Sequence, residues 1–258
     1  PAFGIGINEK TQTLYTTNTR TNSVSAIDLK TKKVVKTIAG PSDKSHTREV
    51  IVDEDLNKVY VTDVGGGSKI WVIDGKTNAL ESVIENTGKT STGIAIDKKE
   101  QKLYITNMGS NQIGIVDIKQ GKLVDSIATG GEGSTNLALD LKNNRVFVAN
   151  QKSADVTVID LKTRKVLQTI KTGAGALGIT LDAAKNRVYV ANRQAGTVTI
   201  IDAKDYKVLA DLKTGTYPNT VIVDKKSGNA YVTNKAQSKR DDPKFVDNNG
   251  DTVSLIGL

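Results

Sequence analysis

The stretch "NKVYVTD" at residues 57–63 returns almost unchanged as "NRVYVAN" at residues 186–192. Its core, an aromatic residue followed by two small or β-branched residues and an Asn or Asp, occurs six times in the chain. The copies lie at residues 15–18, 60–63, 104–107, 147–150, 189–192 and 231–234, with starts 42 to 45 positions apart. A regular period of this length predicts a repeat architecture for the whole chain.

Three further short runs accompany each copy of the phrase. An apolar alternation such as "TGIAID" (92–97) precedes it, a run such as "VTVID" (156–160) follows it, and a run such as "KVLQTI" (165–170) closes the unit. These runs are rich in Val, Ile and Thr and are separated by Gly, Asn, Asp and Lys, as strands separated by turns are. Four strands in each unit of this length predict an all-β fold, a β-propeller of four-stranded antiparallel blades.

The repeats divide the chain into six blades, which we expect to form a single propeller domain over residues 1–258. The sixth repeat lacks its outermost strand, because no closing run follows residues 253–257. Either the ring is closed in an unusual way, or the chain is most of a seven-bladed ring that lacks its N-terminal blade and closing strand. We favour the second interpretation. The expected blades span approximately residues 1–40, 41–86, 87–129, 130–172, 173–214 and 215–258.

The composition limits the possible kinds of protein. The chain has a formal net charge of +8 and contains one His and no Cys. The lack of Cys excludes disulfides, thiolate catalysis and Cys-ligated metal sites. No run approaches the roughly 20 apolar residues of a membrane-spanning helix. Aromatic residues make up 4% of the chain, which is scarce for a protein that binds its ligand by stacking.

Catalytic residues are not indicated by the sequence. The single histidine, His46, has Ser42, Asp43 and Glu49 nearby, but all share one loop and no oxyanion motif accompanies them. A polar loop histidine is therefore the preferred interpretation. One His without Cys is also too few ligands for a zinc site, and "GGG" at 65–67 does not open a helix as a phosphate loop does. We predict a protein that is not an enzyme and that has no metal or cofactor.

The repeated "YVTN" core, together with "VID" and "TGTYPN" (214–219), resembles the YVTN family of β-propellers. One periplasmic enterobacterial member is similar through "WVIDG" (71–75), "RQAGTVTIIDAKDYKV" (193–208) and "YPNTVIV" (217–223), and the similarity covers the whole chain. This resemblance implies a seven-bladed ring with a signal peptide, one further N-terminal blade and a closing strand. It also implies a periplasmic location and an association with single-stranded DNA.

The positive charge is unevenly placed on the expected propeller. Two kinds of connection open on one face, which we call the first face: those from the second to the third strand of a blade, and those from the fourth strand to the first strand of the next blade. The other turns open on the opposite face, which we call the second face. Most of the basic excess lies in the regular turns of the second face. There, Lys residues either attract a polyanion or merely keep the turns solvated and protect strand edges from pairing with other chains. Candidates for polyanion binding on that face are Lys30, Lys32, Lys33, Lys162, Arg164 and Lys165.

The first face departs from the repeat pattern, through expanded loops at 39–49 and 234–252. Irregular loops are better evidence of a specific site than regular turns. Trp71 is a further departure, because its position holds Ser, Gly or Thr in the other repeats; it either stacks on a base or fills a gap between blades. We predict a ligand site on this face, formed by Lys44, Arg48, Trp71, Lys89, Arg193, Lys235, Lys239 and Arg240.

Three functions are compatible with these features. A monomeric periplasmic binding module for single-stranded DNA or another polyanion fits the charge and the lack of catalytic groups. A scaffold for protein–protein interactions in the cell envelope is the alternative. A subunit of a redox enzyme with haem or quinone is disfavoured, since the single His and the lack of a Cys-x-x-Cys-His motif leave few ligands for such a cofactor.

Overall fold

The computed structural model describes residues 2–239, 241, 242 and 244–257. Within these residues the chain forms 23 strands in six antiparallel sheets, five of four strands and one of three. The only helix there is a single 3-10 turn at Leu141–Asn143. The prediction of a β-propeller built from antiparallel blades is confirmed.

Three sheets lie in a first compact unit, Pro1–Ile127, and three in a second, Ala128–Leu258. The strands of the first three sheets are β1 (Ala2–Asn8), β2 (Thr13–Asn18), β3 (Ser23–Asp28), β4 (Lys33–Ala39), β5 (Thr47–Asp53), β6 (Lys58–Asp63), β7 (Lys69–Asp74), β8 (Ala79–Ile84), β9 (Ser91–Asp97), β10 (Lys102–Asn107), β11 (Gln112–Asp117) and β12 (Lys122–Ala128). Those of the last three are β13 (Ser134–Asp140), β14 (Arg145–Asn150), β15 (Asp155–Asp160), β16 (Val166–Lys171), β17 (Ala176–Asp182), β18 (Arg187–Asn192), β19 (Thr197–Asp202), β20 (Val208–Lys213), β21 (Pro218–Val223), β22 (Ala230–Asn234) and β23 (Thr252–Ile256).

Strands follow one another in chain order within every sheet. Within each unit the first strands of successive sheets contact each other: β1 contacts β5 and β5 contacts β9 in the first unit, and β17 contacts β13 and β21 in the second. The fourth strands are largely exposed, with Val34 at 57% and Leu167 at 46%. The "TGIAID" type of strand is therefore innermost and the "KVVKTI" type outermost, as the sequence predicts.

The apolar core lies between successive sheets. In the second unit Tyr189 and Val198 of the fifth sheet pack with Val221 and Val232 of the sixth. Alternating Val, Ile and Tyr supply this core because successive side chains of a strand point to opposite faces, and within each unit adjacent sheets bury the faces that they turn towards each other. Burying one such side chain contributes roughly 1.5–3 kcal/mol, so the repeated phrase stabilises the junctions between the sheets of each unit.

A regular turn joins the third and fourth strands of each four-stranded sheet. Its opening Asp accepts hydrogen bonds from the turn backbone; Asp74 Oδ1, for example, accepts from Thr77 N at 2.9 Å. Near its end the turn places one residue at positive φ, which we call the left-handed turn position. The residues at this position are Lys32, Asn78, Gly121, Arg164 and Tyr206, with φ between 52° and 64°.

Candidate functional site

A polar cleft opens between the fifth and sixth sheets of the second unit, at the first-face loops. Its volume is about 320 Å³. The cleft lies between the loop that follows β18 and the connection that leads into β21. The side chains that shape it are Arg193, Gln194, Thr216, Tyr217, Gln237 and Asn249.

Arg193 and Tyr217 form a stacked pair in this cleft. The guanidinium carbon lies 5.0 Å from the centre of the Tyr217 ring. Arg193 Nη1 donates a hydrogen bond to the neutral amide oxygen of Asn219. Burial lowers the pKa of Arg193, but a guanidinium keeps its charge at neutral pH. Among the described residues, this cation therefore meets neutral partners, and it can still receive an anion.

Tyr217 occupies a strained backbone position. Its φ is 44°, and the corresponding residues before the innermost strands of the fourth and fifth sheets are Gly133 and Gly175, with φ of 68° and 81°. A left-handed conformation suits glycine and costs other residues roughly 1–2 kcal/mol. The following Pro218 restricts Tyr217 further. An aromatic residue at a strained surface position is evidence for a role beyond packing.

The long loop after β22 lies against the cleft because Asp247 anchors it. Asp247 Oδ1 accepts from Thr216 Oγ1 at 3.0 Å, and Oδ2 accepts from Gln237 N at 2.9 Å. Thr216 N also donates to Asn249 O at 2.8 Å. The hydrogen bond from Gln237 N, followed by those from Thr216 and Asn249, lowers the pKa of Asp247. The ionised carboxylate therefore fixes both ends of the loop beside Tyr217.

The loop after β22 carries a cation–aromatic pair of its own. Lys239 Nζ is 4.2 Å from the centre of the Phe245 ring. Lys239 is exposed and Phe245 is partly exposed. The loop therefore presents both a charge and an aromatic face to solvent.

In the first unit, two of the predicted residues, Lys44 and Lys89, lie in first-face loops, and a third, Arg48, lies near the start of the innermost strand β5. Lys44 and Lys89 are exposed, while Arg48 is half-buried with its guanidinium 5.2 Å from the Phe3 ring centre. Burial lowers the pKa of Arg48, and it raises the pKa of the neighbouring Glu49 to about 7. Arg48 thus repeats the stacking seen at Arg193, with an aromatic partner from the preceding sheet.

The comparisons with known proteins agree with this architecture. A family model described as YNCE-like beta-propeller matches residues 5–242. The chain belongs to the YncE-like β-propeller family. The resemblance carried by the repeated phrase is thereby confirmed.

Two of the most similar YncE proteins come from enteric bacteria. YncE of Salmonella typhi is 45% identical over 112 residues, and YncE of Escherichia coli strain K12 is 42% identical over 113. Each match covers 41% of this chain, and it spans only 32% of the relative's length. Among solved structures, hydrazine synthase of Kuenenia stuttgartiensis aligns with a TM-score of 0.66 at 16% identity, covering 100% of this chain and 95% of that one. That likeness shows the fold alone.

Trp71 of this YncE-like propeller is buried, and the prediction that it belongs to the ligand site is wrong. The side chain is 0% exposed and packs with Tyr15 and Val50 between the first and second sheets. Its Nε1 donates to Asp63 Oδ2 at 2.9 Å. A ring enclosed on all sides cannot stack on a base, so the alternative interpretation, that it fills a gap between blades, is confirmed.

The remaining described residues of the predicted site fall into two groups, one in each unit. The second unit brings Arg193 and Lys235 to Tyr217, since Lys235 N donates to Tyr217 O at 3.1 Å, and Lys239 lies on the adjoining loop. Arg240 lies outside the described residues. Sequence reasoning missed Tyr217 and Phe245, although a Tyr in "TGTYPN" where "TGAGAL" has Gly is a signal that could have revealed the first.

The described residues show little that suggests catalysis. His46 donates its backbone N–H to Asp63 Oδ1 at 2.6 Å, and burial lowers the pKa of its imidazole. Within the described part of the chain, no group of three or more His, Cys, Asp or Glu side chains could hold a metal ion. None of the helices described there is long and apolar enough to cross a membrane.

Proposed function

We propose that this chain is a non-catalytic, monomeric periplasmic binding module, a single propeller domain that binds single-stranded DNA or another polyanion. The observation that carries the proposal is the Arg193–Tyr217 pair in the polar first-face cleft. An aromatic face accepts any base, and the guanidinium beside it pairs with a phosphate through two parallel hydrogen bonds. Such a combination favours a single strand, whose bases are free to stack.

The loop after β22 extends this surface within the second unit. Lys239 and Phe245 repeat the combination of cation and aromatic ring, and Lys235 adds a further exposed charge. Gln194, Gln237 and Asn249 line the cleft with amide groups that can donate to phosphate oxygens. In the first unit Lys44, Arg48 and Lys89 are proposed as further phosphate contacts.

The partners of the basic residues favour the first face over the second. In the second-face turns Lys207 Nζ lies 2.8 Å from Asp205 Oδ2. Likewise Lys10 Nζ lies 2.6 Å from Asp55 Oδ1. Such turns neutralise part of their own charge, whereas the described partners of Arg193 are a neutral ring and a neutral amide. The larger charge of the second face therefore provides a diffuse field and not a site.

Binding of fluorescein-labelled oligo-dT of increasing length, measured by fluorescence anisotropy at several salt concentrations, tests the proposal. We expect log K to fall linearly with log salt, because phosphate contacts release counterions. Affinity should rise with length until the cleft and the adjoining loop are both occupied. The absence of binding at low salt would overturn the proposal and favour the envelope scaffold instead.

A further inference from the structure

Two of the turns between third and fourth strands concentrate positive charge. The turn of the first sheet reads "LKTKKVV" (29–35), and that of the fourth sheet reads "LKTRKVL" (161–167). The left-handed turn position holds a cation in both, Lys32 and Arg164, and an uncharged residue in the other three four-stranded sheets. We call residues 30–36 and 162–168, which comprise these turns and the start of the following strand, the basic corners.

The first basic corner keeps most of its charge. Its four lysines, at 30, 32, 33 and 36, are exposed, and in the part of the chain that the structure describes no ion pair joins any of them to a carboxylate. The nearest carboxylate in sequence, Asp28, accepts hydrogen bonds from Thr31 N at 2.6 Å and from Thr31 Oγ1 at 2.9 Å. In the corresponding turn of the fifth sheet, by contrast, Asp205 Oδ2 lies 2.8 Å from Lys207 Nζ. Four lysines against the single Asp28 leave a local charge of +3.

Apolar side chains are exposed beside these cations. Val34 and Val35 are 57% and 54% exposed in the first corner, and Val166 and Leu167 are 42% and 46% exposed in the second. A β-bulge at this point leaves Val35 and Leu167 without a partner on the third strand of their sheets. Because a bulge redirects the side chains of an edge strand, both members of each apolar pair reach solvent next to the lysines.

This combination suits an anionic lipid surface better than a nucleic acid. At a bilayer surface, ammonium groups meet the lipid phosphates while neighbouring apolar side chains enter the boundary with the acyl chains. Lysine fits this arrangement because its apolar stem lies along the boundary and its charge extends to the headgroups. Neither basic corner contains an aromatic residue, so neither offers the stacking platform that a single strand uses.

We propose that the two basic corners bind the surface of a bilayer that contains anionic lipid. The cations of each corner contact lipid phosphates, and the adjoining pair of apolar side chains enters the boundary between headgroups and acyl chains. The attachment is peripheral and reversible, because a basic patch with few apolar side chains binds a bilayer only weakly. The corners share no residue with the first-face cleft, and this binding goes beyond the nucleic-acid proposal.

Cosedimentation of the full chain with phosphatidylcholine vesicles, prepared with and without phosphatidylglycerol, tests the proposal. We expect binding only to the vesicles with phosphatidylglycerol, and weaker binding as salt screens the charges. Each basic residue near an anionic surface contributes roughly a fivefold factor in affinity, so reversing four of them should lower the partition coefficient roughly tenfold or more. The variant that reverses charge in both corners is Lys30→Glu/Lys33→Glu/Lys162→Glu/Lys165→Glu.

The third and fifth sheets supply a matched control for that variant. Lys119→Glu/Lys122→Glu/Lys204→Glu/Lys207→Glu makes the same change in net charge at the corresponding exposed turn positions. It should lower vesicle binding much less than the corner variant. An equal loss would show that overall charge and not the corners carries the attachment, and would overturn the proposal. The corner variant should also keep most of its affinity for oligo-dT; parallel loss of oligo-dT and vesicle binding would indicate a general polyanion field instead.

A fluorescent label reports contact at each corner separately. Because the sequence contains no Cys, Val35→Cys and Leu167→Cys each allow one environment-sensitive NBD group to be attached at an exposed position. We expect NBD emission to become brighter and blue-shifted on addition of vesicles with phosphatidylglycerol. Leu209→Cys, at the same bulge position of the fifth sheet and 50% exposed, is the control and should respond little. Absence of vesicle binding at low salt, or labels at 35 and 167 that respond no more than the label at 209, would overturn the proposal.

Discussion

The guanidinium of Arg193 lies 5.0 Å from the ring centre of Tyr217, although the two residues belong to neighbouring sheets. Arg193 follows directly on β18, and Tyr217 directly precedes β21. A residue from the end of one sheet's second strand therefore stacks on a residue at the entrance to the next sheet's first strand. This relationship places a cation and an aromatic face in one first-face cleft. It requires Tyr217 to adopt the left-handed backbone conformation that normally suits glycine.

Replacing Tyr217 with Gly should separate stability from binding. The variant relieves a left-handed tyrosine, so the free energy of unfolding should rise by up to about 1–2 kcal/mol. Affinity for oligo-dT should fall roughly 5- to 150-fold, because a stacked base contributes about 1–3 kcal/mol. Thermal unfolding and fluorescence anisotropy measure the two effects.

Thr90→Gly is the control for that experiment. Thr90 has φ 60° at the corresponding position of the third sheet, so its replacement relieves similar strain without removing an aromatic ring. We expect it to leave oligo-dT affinity unchanged. Full affinity in Tyr217→Gly would show that the ring does not contact the ligand.

Charge reversal should distinguish the cleft from the diffuse field of the second face. Arg193→Glu should weaken oligo-dT binding at least tenfold and reduce the slope of log K against log salt by roughly 0.7, the contribution of one phosphate on a single strand. Lys162→Glu changes the same charge in an exposed second-face turn of the same unit and should have a much smaller effect. An equal or larger loss from Lys162→Glu would indicate that the overall field carries the binding.

The sequence predicted the fold well because the repeat encodes it locally. Each "YVTN" phrase supplies a strand with an alternating apolar face, and each "VID" supplies the Asp that begins a turn, so six copies predict the same structure six times. Trp71 was less predictable, because a large residue at a small-residue position fits either an exposed platform or a widened gap. Only the packing against Tyr15 and Val50 distinguishes the two.

The site was less predictable than the fold because it depends on neighbours from different repeats. Arg193 could be named from its charge, but its partner Tyr217 lies 24 positions away in another blade.

Acidification should release the loop after β22. The folded-state pKa of Asp247 is lowered, so its contribution is fully present above the ordinary value of 3.8 and is lost as the pH falls through the lowered value. Amide chemical shifts of Gln237 and Asn249, followed by NMR from about pH 6 downwards, should therefore stay constant until the pH is below the ordinary Asp range. Asp247→Asn should loosen the loop at neutral pH and lower oligo-dT affinity. Asp241→Asn, an exposed carboxylate on the same loop, is the control; loss of affinity there would implicate the loop's charge and not its anchoring.

Burial of Trp71 predicts a structural and not a binding role. It is the only tryptophan, so its emission should be blue-shifted in the native chain and resistant to iodide quenching. Trp71→Ala should cost about 3–5 kcal/mol of unfolding free energy, since it removes a buried ring and leaves Asp63 Oδ2 without its indole donor. Urea unfolding measures this loss, and Val35→Ala, at a 54% exposed position on β4, should cost far less. Native emission readily quenched by iodide would contradict the buried position.

Glu49 should make the chain less stable as the pH rises towards neutrality. Burial raises its folded-state pKa from the ordinary 4.5 to about 7, and the nearby Arg48 offsets only part of this effect. A carboxyl group with a raised pKa binds more protons in the folded than in the unfolded state, so stability falls as the pH increases between these two values. Glu49→Gln imitates the protonated form, and it should increase the free energy of unfolding at about pH 8 by on the order of 1–3 kcal/mol and flatten its pH dependence.

Glu100→Gln, at an exposed turn position, provides the comparison and should leave the pH profile as it is. Urea unfolding of the three proteins between about pH 4 and pH 8 measures these profiles; a Glu49→Gln variant less stable than the unaltered chain at pH 8 would mean that the carboxylate is stabilised in its ionised form.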